Sequence, residues 1–113
     1  MPVTIKMLLD QYTEILRKIY GNHLKTVILY GSYARGDYTP DSDIDIMILV
    51  DLSDIDIKQY RHKLSGETFD FNMDHDLDIK PIAKSQQHFQ KWVDVYPFYA
   101  NVEKEGVKLF DAA

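Results

Sequence analysis

Val3, Ile5, Leu8, Leu9, Tyr12, Ile15, Leu16 and Ile19 return every three to four positions, the period of a helix with one apolar side. The pattern predicts an amphipathic helix of about four turns, closed by Gly21-Asn22, residues suited to a left-handed C-terminal cap. The next apolar run, in "KTVILYG", is short and continuous and predicts a buried strand from Thr26 to Tyr30, ended by Gly31. "SYARG" is polar and has room for one helical turn, with Ser32 at its start as a cap. "DYTPDSD" is built of turn formers and reads as a loop. "IDIMILV", from Ile44 to Val50, is a second strand; its second half is apolar on both faces, as in a strand inside a sheet.

Ser53 is placed to cap a second helix, with Asp54 and Asp56 in its first turn. Ile57, Tyr60 and Leu64 form its apolar side, with Ile55 beside them, and Gly66 weakens its end. "DLDIKPI" predicts a third strand from Leu77 to Ile82, and Pro81 marks either a sheet edge or the end of the strand. Ser85 caps a third helix carrying Phe89, Trp92, Val93 and Tyr96. "PFYANVEKEG" adds a short helix stopped by Gly106, and "VKLF" a tail strand. The expected fold class is α/β (α+β), with a small sheet flanked by helices.

Length and charge narrow the picture. The 113 residues suit a single domain spanning 1–113, large enough to bury a core without staples. There is no cysteine, which removes disulfides and thiolate chemistry and fits a reducing compartment. Thirteen basic and 18 acidic residues give a net charge of −5, an argument against stable binding to duplex nucleic acid through its phosphates. No apolar run is long enough for a membrane span, and the acidic, amphipathic start is neither a signal nor a transit peptide, so a cytoplasmic protein is expected.

The candidate chemistry sits in the second strand. Side chains alternate along a strand, so Asp43 and Asp45 share a face while Ile44 and Ile46 point away. Two close carboxylates repel unless a cation lies between them, and a pair of oxygen donors suits Mg2+ or Mn2+ rather than zinc. Upstream, Gly31 lets backbone approach a ligand, Ser32 offers a hydroxyl and an N–H, and Arg35 offers a charge-assisted hydrogen bond to phosphate. A phosphate cradle and a metal pair therefore lie in one segment.

"GSYARGDYTPDSDID" also resembles the signature of the DNA polymerase beta-like nucleotidyltransferase superfamily, and its "GSxARG…SDID" form is similar to the minimal nucleotidyltransferases (MNT) of prokaryotic toxin–antitoxin pairs. The resemblance implies a polymerase beta-like fold, a mixed sheet flanked by helices. It implies an in-line attack on the α-phosphate of ATP that transfers AMP and releases pyrophosphate, with two Mg2+ ions, or Mn2+, as cofactor. By position, Gly31 and Ser32 would hold the β and γ phosphates, and Asp43 and Asp45 would bind metal. The family's third carboxylate, a metal ligand and base for the acceptor hydroxyl, falls on Asp76 or Asp78. The two are expected on one face of the third strand, and Asp78 is preferred as the residue inside it.

The resemblance further implies an antitoxin whose acceptor is a tyrosine of a HEPN-domain ribonuclease toxin, with a homo-oligomer or a hetero-oligomer with the toxin both compatible. The alternatives are an antitoxin that neutralises by binding alone and a small-molecule transferase of the aminoglycoside-modifying type. His23, His62, His75 and His88 share no ligand spacing and read as surface residues. Trp92, Tyr96, Phe98 and Tyr99 read as core or protein interface rather than as a base-stacking platform. The acidic "DLSDID" reads as a solvated helix start rather than a second metal site.

Overall fold

The computed structural model describes residues 2–112. The chain runs α1 (Val3–Tyr20), a 3-10 turn (Gly21–His23), β1 (Leu24–Tyr30), α2 (Ser32–Arg35), β2 (Ile44–Val50), α3 (Asp54–His75), β3 (Ile79–Ser85), α4 (Gln86–Trp92), α5 (Pro97–Glu105) and β4 (Val107–Asp111). The four strands form one mixed sheet in the order β3-β2-β1-β4. β1 is antiparallel to both of its neighbours, while β2 and β3 are parallel. A parallel pair needs a long crossover, and α3 supplies it. The expected mixed sheet flanked by helices is what forms.

Each face of the sheet carries its own helices. On one, Leu9, Tyr12, Leu16 and Tyr20 of α1 and Leu64 and Phe71 of α3 close over Val27, Leu29, Ile44, Ile46, Ile48 and Val50. Tyr12 is fully buried and its hydroxyl lies 2.7 Å from Thr68 Oγ1, which satisfies both polar groups in an apolar setting. On the other face Ile28, Met47 and Leu49 meet Phe89 of α4 and Tyr99 and Val102 of α5.

The caps follow sequence chemistry. Ser53 Oγ accepts from Asp56 N and Ser85 Oγ from His88 N, as expected at the starts of α3 and α4. Pro97 opens α5, where its missing N–H has no consequence. A Cβ on Gly106 would collide with Val102 O and with Ile28, so the turn from α5 into β4 needs glycine.

Four expectations are corrected. Gly66 does not weaken the end of α3: the helix runs on for two more turns to His75, because Thr68 and Phe71 beyond the glycine are buried against α1. Ile55 is exposed and stands outside the apolar side of that helix. The third strand starts at Ile79 rather than Leu77 and ends at Ser85, and β1 starts at Leu24 rather than Thr26. β3 does lie at the sheet edge, as Pro81 demands. Its outer side is covered at Ile79, whose N–H donates to Asn72 Oδ1 and whose carbonyl accepts from Asn72 Nδ2. Two residues on, with the same outward direction, Pro81 has no amide to present.

Candidate active site

β1 ends at Tyr30, paired across the sheet with Asp45 of β2. The chain then turns sharply at Gly31, where φ is +76°. That backbone is unfavourable for any side chain, and a Cβ there would strike Asp45 Oδ2. The glycine thus lets the turn and the carboxylate occupy adjoining space. α2 follows at once, with Gly31 itself as its N-terminal cap. Ser32 was expected to cap this turn; its side chain makes no capping bond, so its hydroxyl stays available at the mouth of the cleft.

Asp43 immediately precedes β2, and Asp45 lies two residues on, inside it. The parallel register sets Ile44 beside Ile79 and Asp45 beside Lys80, so Asp43, Asp45 and Lys80 share the face of α4 and α5. Lys80 Nζ lies 3.1 Å from Asp43 Oδ2. The carboxyls of Asp43 and Asp78 adjoin, and Asp43 is held below the usual carboxylate range by Asp78 and then by Lys80, while Asp78 is pushed up by Asp43. Asp45 is also pushed up, first by burial and then by the charge of Asp43. Burial and Asp45 together push the Tyr30 phenol up to about 12.

Asp76 and Asp78 separate here. Both were expected on one face of the third strand, and neither is in it. Asp76 closes α3 in the left-handed region, at φ +53°. Asp78 precedes β3; its carbonyl accepts from Ile44 N, which brings its side chain to Asp43. Of the two, only Asp78 joins the candidate site. Arg35 bonds to Asp37 and, across the cleft, to Glu105 of α5, each at 3.3 Å.

The cleft holds about 560 Å³ and is lined by Gly31, Ser32 and Arg35 on one side and Asp43 and Asp45 at its floor. Phe98, Asn101, Val102 and Glu105 of α5 form the opposite wall. This wall is missing from the sequence reading. Its spacing of three, four and seven residues is helical, but nothing in the sequence says that this side of α5 faces Asp45. The aromatic group divides accordingly. Tyr99 is core, while Phe98 is 45 % exposed and packs edge-on against Tyr30, with ring centroids 5.6 Å apart. Trp92 and Tyr96 stack on one another at 5.2 Å. His88, expected at the surface, is half-buried against the Tyr99 hydroxyl at 3.2 Å. His23 is exposed and bonds to Asp51.

Among the described residues no three carboxylate or imidazole side chains converge as a closed cage for an ion. Asp43 leans toward Asp78 and Lys80, and Asp45 toward Gly31. The fit to a divalent cation is still good. The donors are all oxygen, they are crowded enough to shift one another's protonation, and among the described residues the cation touching Asp43 is an ammonium on an exposed side chain. The open side of the cleft is where phosphate and water oxygens would complete the coordination.

The nucleotidyltransferase domain family matches residues 9–110. Two relatives from Methanocaldococcus jannaschii, each named "Putative protein adenylyltransferase", are 33% and 30% identical to this chain. Both alignments cover 90% of this chain, and 94% and 95% of the relatives. Two solved structures share the fold. One is an MNT antitoxin in complex with a tri-AMPylated HEPN toxin of Shewanella oneidensis, with a TM-score of 0.54 at 19% identity over 94% of this chain and 71% of that one. The other is a toxin–antitoxin with AMP-PNP, with a TM-score of 0.50 at 22% identity over 91% and 73%. With the Gly-Ser turn set against paired aspartates and the family match spanning most of its length, the chain belongs to the nucleotidyltransferase domain family.

Proposed function

We propose that this nucleotidyltransferase moves AMP from ATP to a hydroxyl of a partner protein, a tyrosine of a HEPN ribonuclease toxin, and so acts as the antitoxin of a toxin–antitoxin pair. The observation that carries the reading is the contact between Gly31 and Asp45. It sets the Gly-Ser turn directly against Asp45, two residues from Asp43, in an open cleft. The two relatives of matching length, both named for protein adenylyl transfer, support the choice of a protein acceptor. The AMPylated HEPN toxin in one structural neighbour suggests its kind.

Gly31 and Ser32 cradle the β and γ phosphates through backbone N–H groups and the free Ser32 hydroxyl. Asp43 and Asp45, with Asp78 beside them, would hold Mg2+ or Mn2+, and a bound ion would neutralise charge on the reacting phosphates. The acceptor oxygen attacks the α-phosphorus, the bond to the bridging oxygen of the β-phosphate breaks, and pyrophosphate leaves. The proton of the acceptor goes to Asp78, whose carboxyl adjoins Asp43 beside the reacting centre. Arg35, released from Glu105, faces the terminal phosphates.

The test is to incubate the protein with Mg2+, ATP and the product of the neighbouring gene, then to weigh both proteins intact. One or more AMP units on the partner, absent with the Asp43→Asn/Asp45→Asn double variant, is the expected result. A silenced partner that gains no mass would replace transfer with neutralisation by binding.

A further inference from the structure

The wall of the cleft opposite the Gly-Ser turn is one side of α5, and its residues are ordered. Phe98 stands at the start of the helix, beside Tyr30, whose strand partner is Asp45. Glu105 stands at the end, bonded to Arg35 of the phosphate turn. Asn101 and Val102 lie between them. Seven residues at the helical rise separate the two ends by roughly 10 Å. That distance is comparable to the span from the base to the terminal phosphates of a nucleotide. α5 therefore runs alongside the nucleotide, with Glu105 at the phosphate end and Phe98 at the end where the base must lie.

The chemistry of that end is specific. Phe98 packs nearly perpendicular to Tyr30, is half exposed and lines the cleft, so the ring is supported on one side and accessible on another. One helical turn on, the exposed side chain of Asn101 lines the same cleft and makes no hydrogen bond among the described residues. A carboxamide offers one acceptor and one donor side by side. Adenine presents the complement, its N6 amino group beside N7, whereas guanine presents two acceptors, O6 and N7, at the same edge. Cytosine offers a similar pair, N4 beside N3, but on a single ring that gives Phe98 less stacking area.

Resting on the reading of this cleft as a nucleotide site, we propose that Phe98 and Asn101 form its base-selecting surface. Phe98 stacks on the base, and Asn101 pairs with N6 and N7 of adenine, so the site prefers ATP to GTP.

The experiment is equilibrium binding of ATP, GTP, CTP and 7-deaza-ATP to the whole chain in excess Mg2+, with no acceptor protein present. The wild type is expected to bind ATP about tenfold more tightly than GTP, the scale of one bidentate amide–base pair. Asn101→Ala should bring the two affinities together. Phe98→Ala should weaken both about tenfold, as loss of one stacking partner does. Phe98→Leu keeps an apolar side chain against Tyr30 and serves if the alanine variant does not fold. 7-Deaza-ATP, which lacks the N7 acceptor, should bind the wild type like a poorer ATP and Asn101→Ala like ATP itself. An unchanged ATP-to-GTP ratio in Asn101→Ala, or equal binding of the two nucleotides by the wild type, overturns the proposal while leaving the transferase reading intact. Failure of the wild type to bind any nucleotide overturns both.

Discussion

On the α1 and α3 side of the sheet, β2 shows Ile44, Ile46, Ile48 and Val50, each at most 1% exposed. On the α4 and α5 side, the same segment shows Asp43 and Asp45 before it reaches Met47 and Leu49. One face is apolar along the whole of β2, and the buried Tyr12–Thr68 link between its helices is satisfied. The other face is apolar over half its length and charged over the rest, where like charges crowd without enough cations to neutralise them. Stability resides chiefly in the first face and reactivity in the second, so substitutions on the two should move different observables.

Four substitutions and one pH series break or sharpen that contrast. The largest effect belongs to Asp43→Asn with Asp45→Asn, which removes several kcal/mol of transition-state stabilisation. Transfer from labelled ATP should fall by about 10³-fold with the circular dichroism spectrum unchanged; retained labelling would remove the second face from the chemistry. Next, Leu16→Ala on the first face should cost about 2–5 kcal/mol in chemical denaturation. Its specific activity per folded molecule should match the wild type, and a loss of catalysis in the folded fraction would show the faces to be coupled. Gly31→Ala forces a side chain into the left-handed region and into Asp45, for about 1–3 kcal/mol. Unlike Leu16→Ala it should lower both stability and transfer, because it sits where the faces meet. Tyr12→Phe leaves the Thr68 hydroxyl unpaired and should cost about 1 kcal/mol, read by denaturation, with transfer unaffected.

The smallest effect is one of sign. Burial and Asp43 raise the proton affinity of Asp45, so the fold favours its neutral form. That contribution is complete below the ordinary carboxylate range and is lost as pH rises through the raised value. Asp45→Asn should therefore raise the melting midpoint slightly at neutral pH, and the gain should vanish near about pH 4. Mg2+ should raise the midpoint of the wild type at neutral pH and do less for the variant. A gain that is constant across pH would locate the effect in packing rather than in charge.

Most helices and strands were legible because a period or a capping residue marks them: Ser53, Ser85 and Gly21 act where the sequence puts them. The end of α3 was not, since Gly66 weakens a helix locally and only its packing against α1 overrides that penalty. The same misreading displaced the third strand and set Asp76 and Asp78 on a common face. That Asp43, Asp45, Gly31 and Ser32 line one cleft was legible because they lie in one segment with one spacing. Lys80, Phe98, Asn101 and Glu105 come to that segment only through the parallel β2–β3 register and the return of α5 over the sheet. Those are long-range facts with no local signature.

The side chain of Asn72 does for Ile79 what a fifth strand would do, and Pro81 leaves the next outward position without a donor. Unpaired strand edges invite molecules of the same kind to join sheet to sheet, the first step toward fibrous deposits. At the start of this border one amide and one imino acid interrupt the ladder. A strand from another copy of the protein finds the Ile79 groups already taken and no donor at Pro81, so the first half of β3 is a poor template for growth.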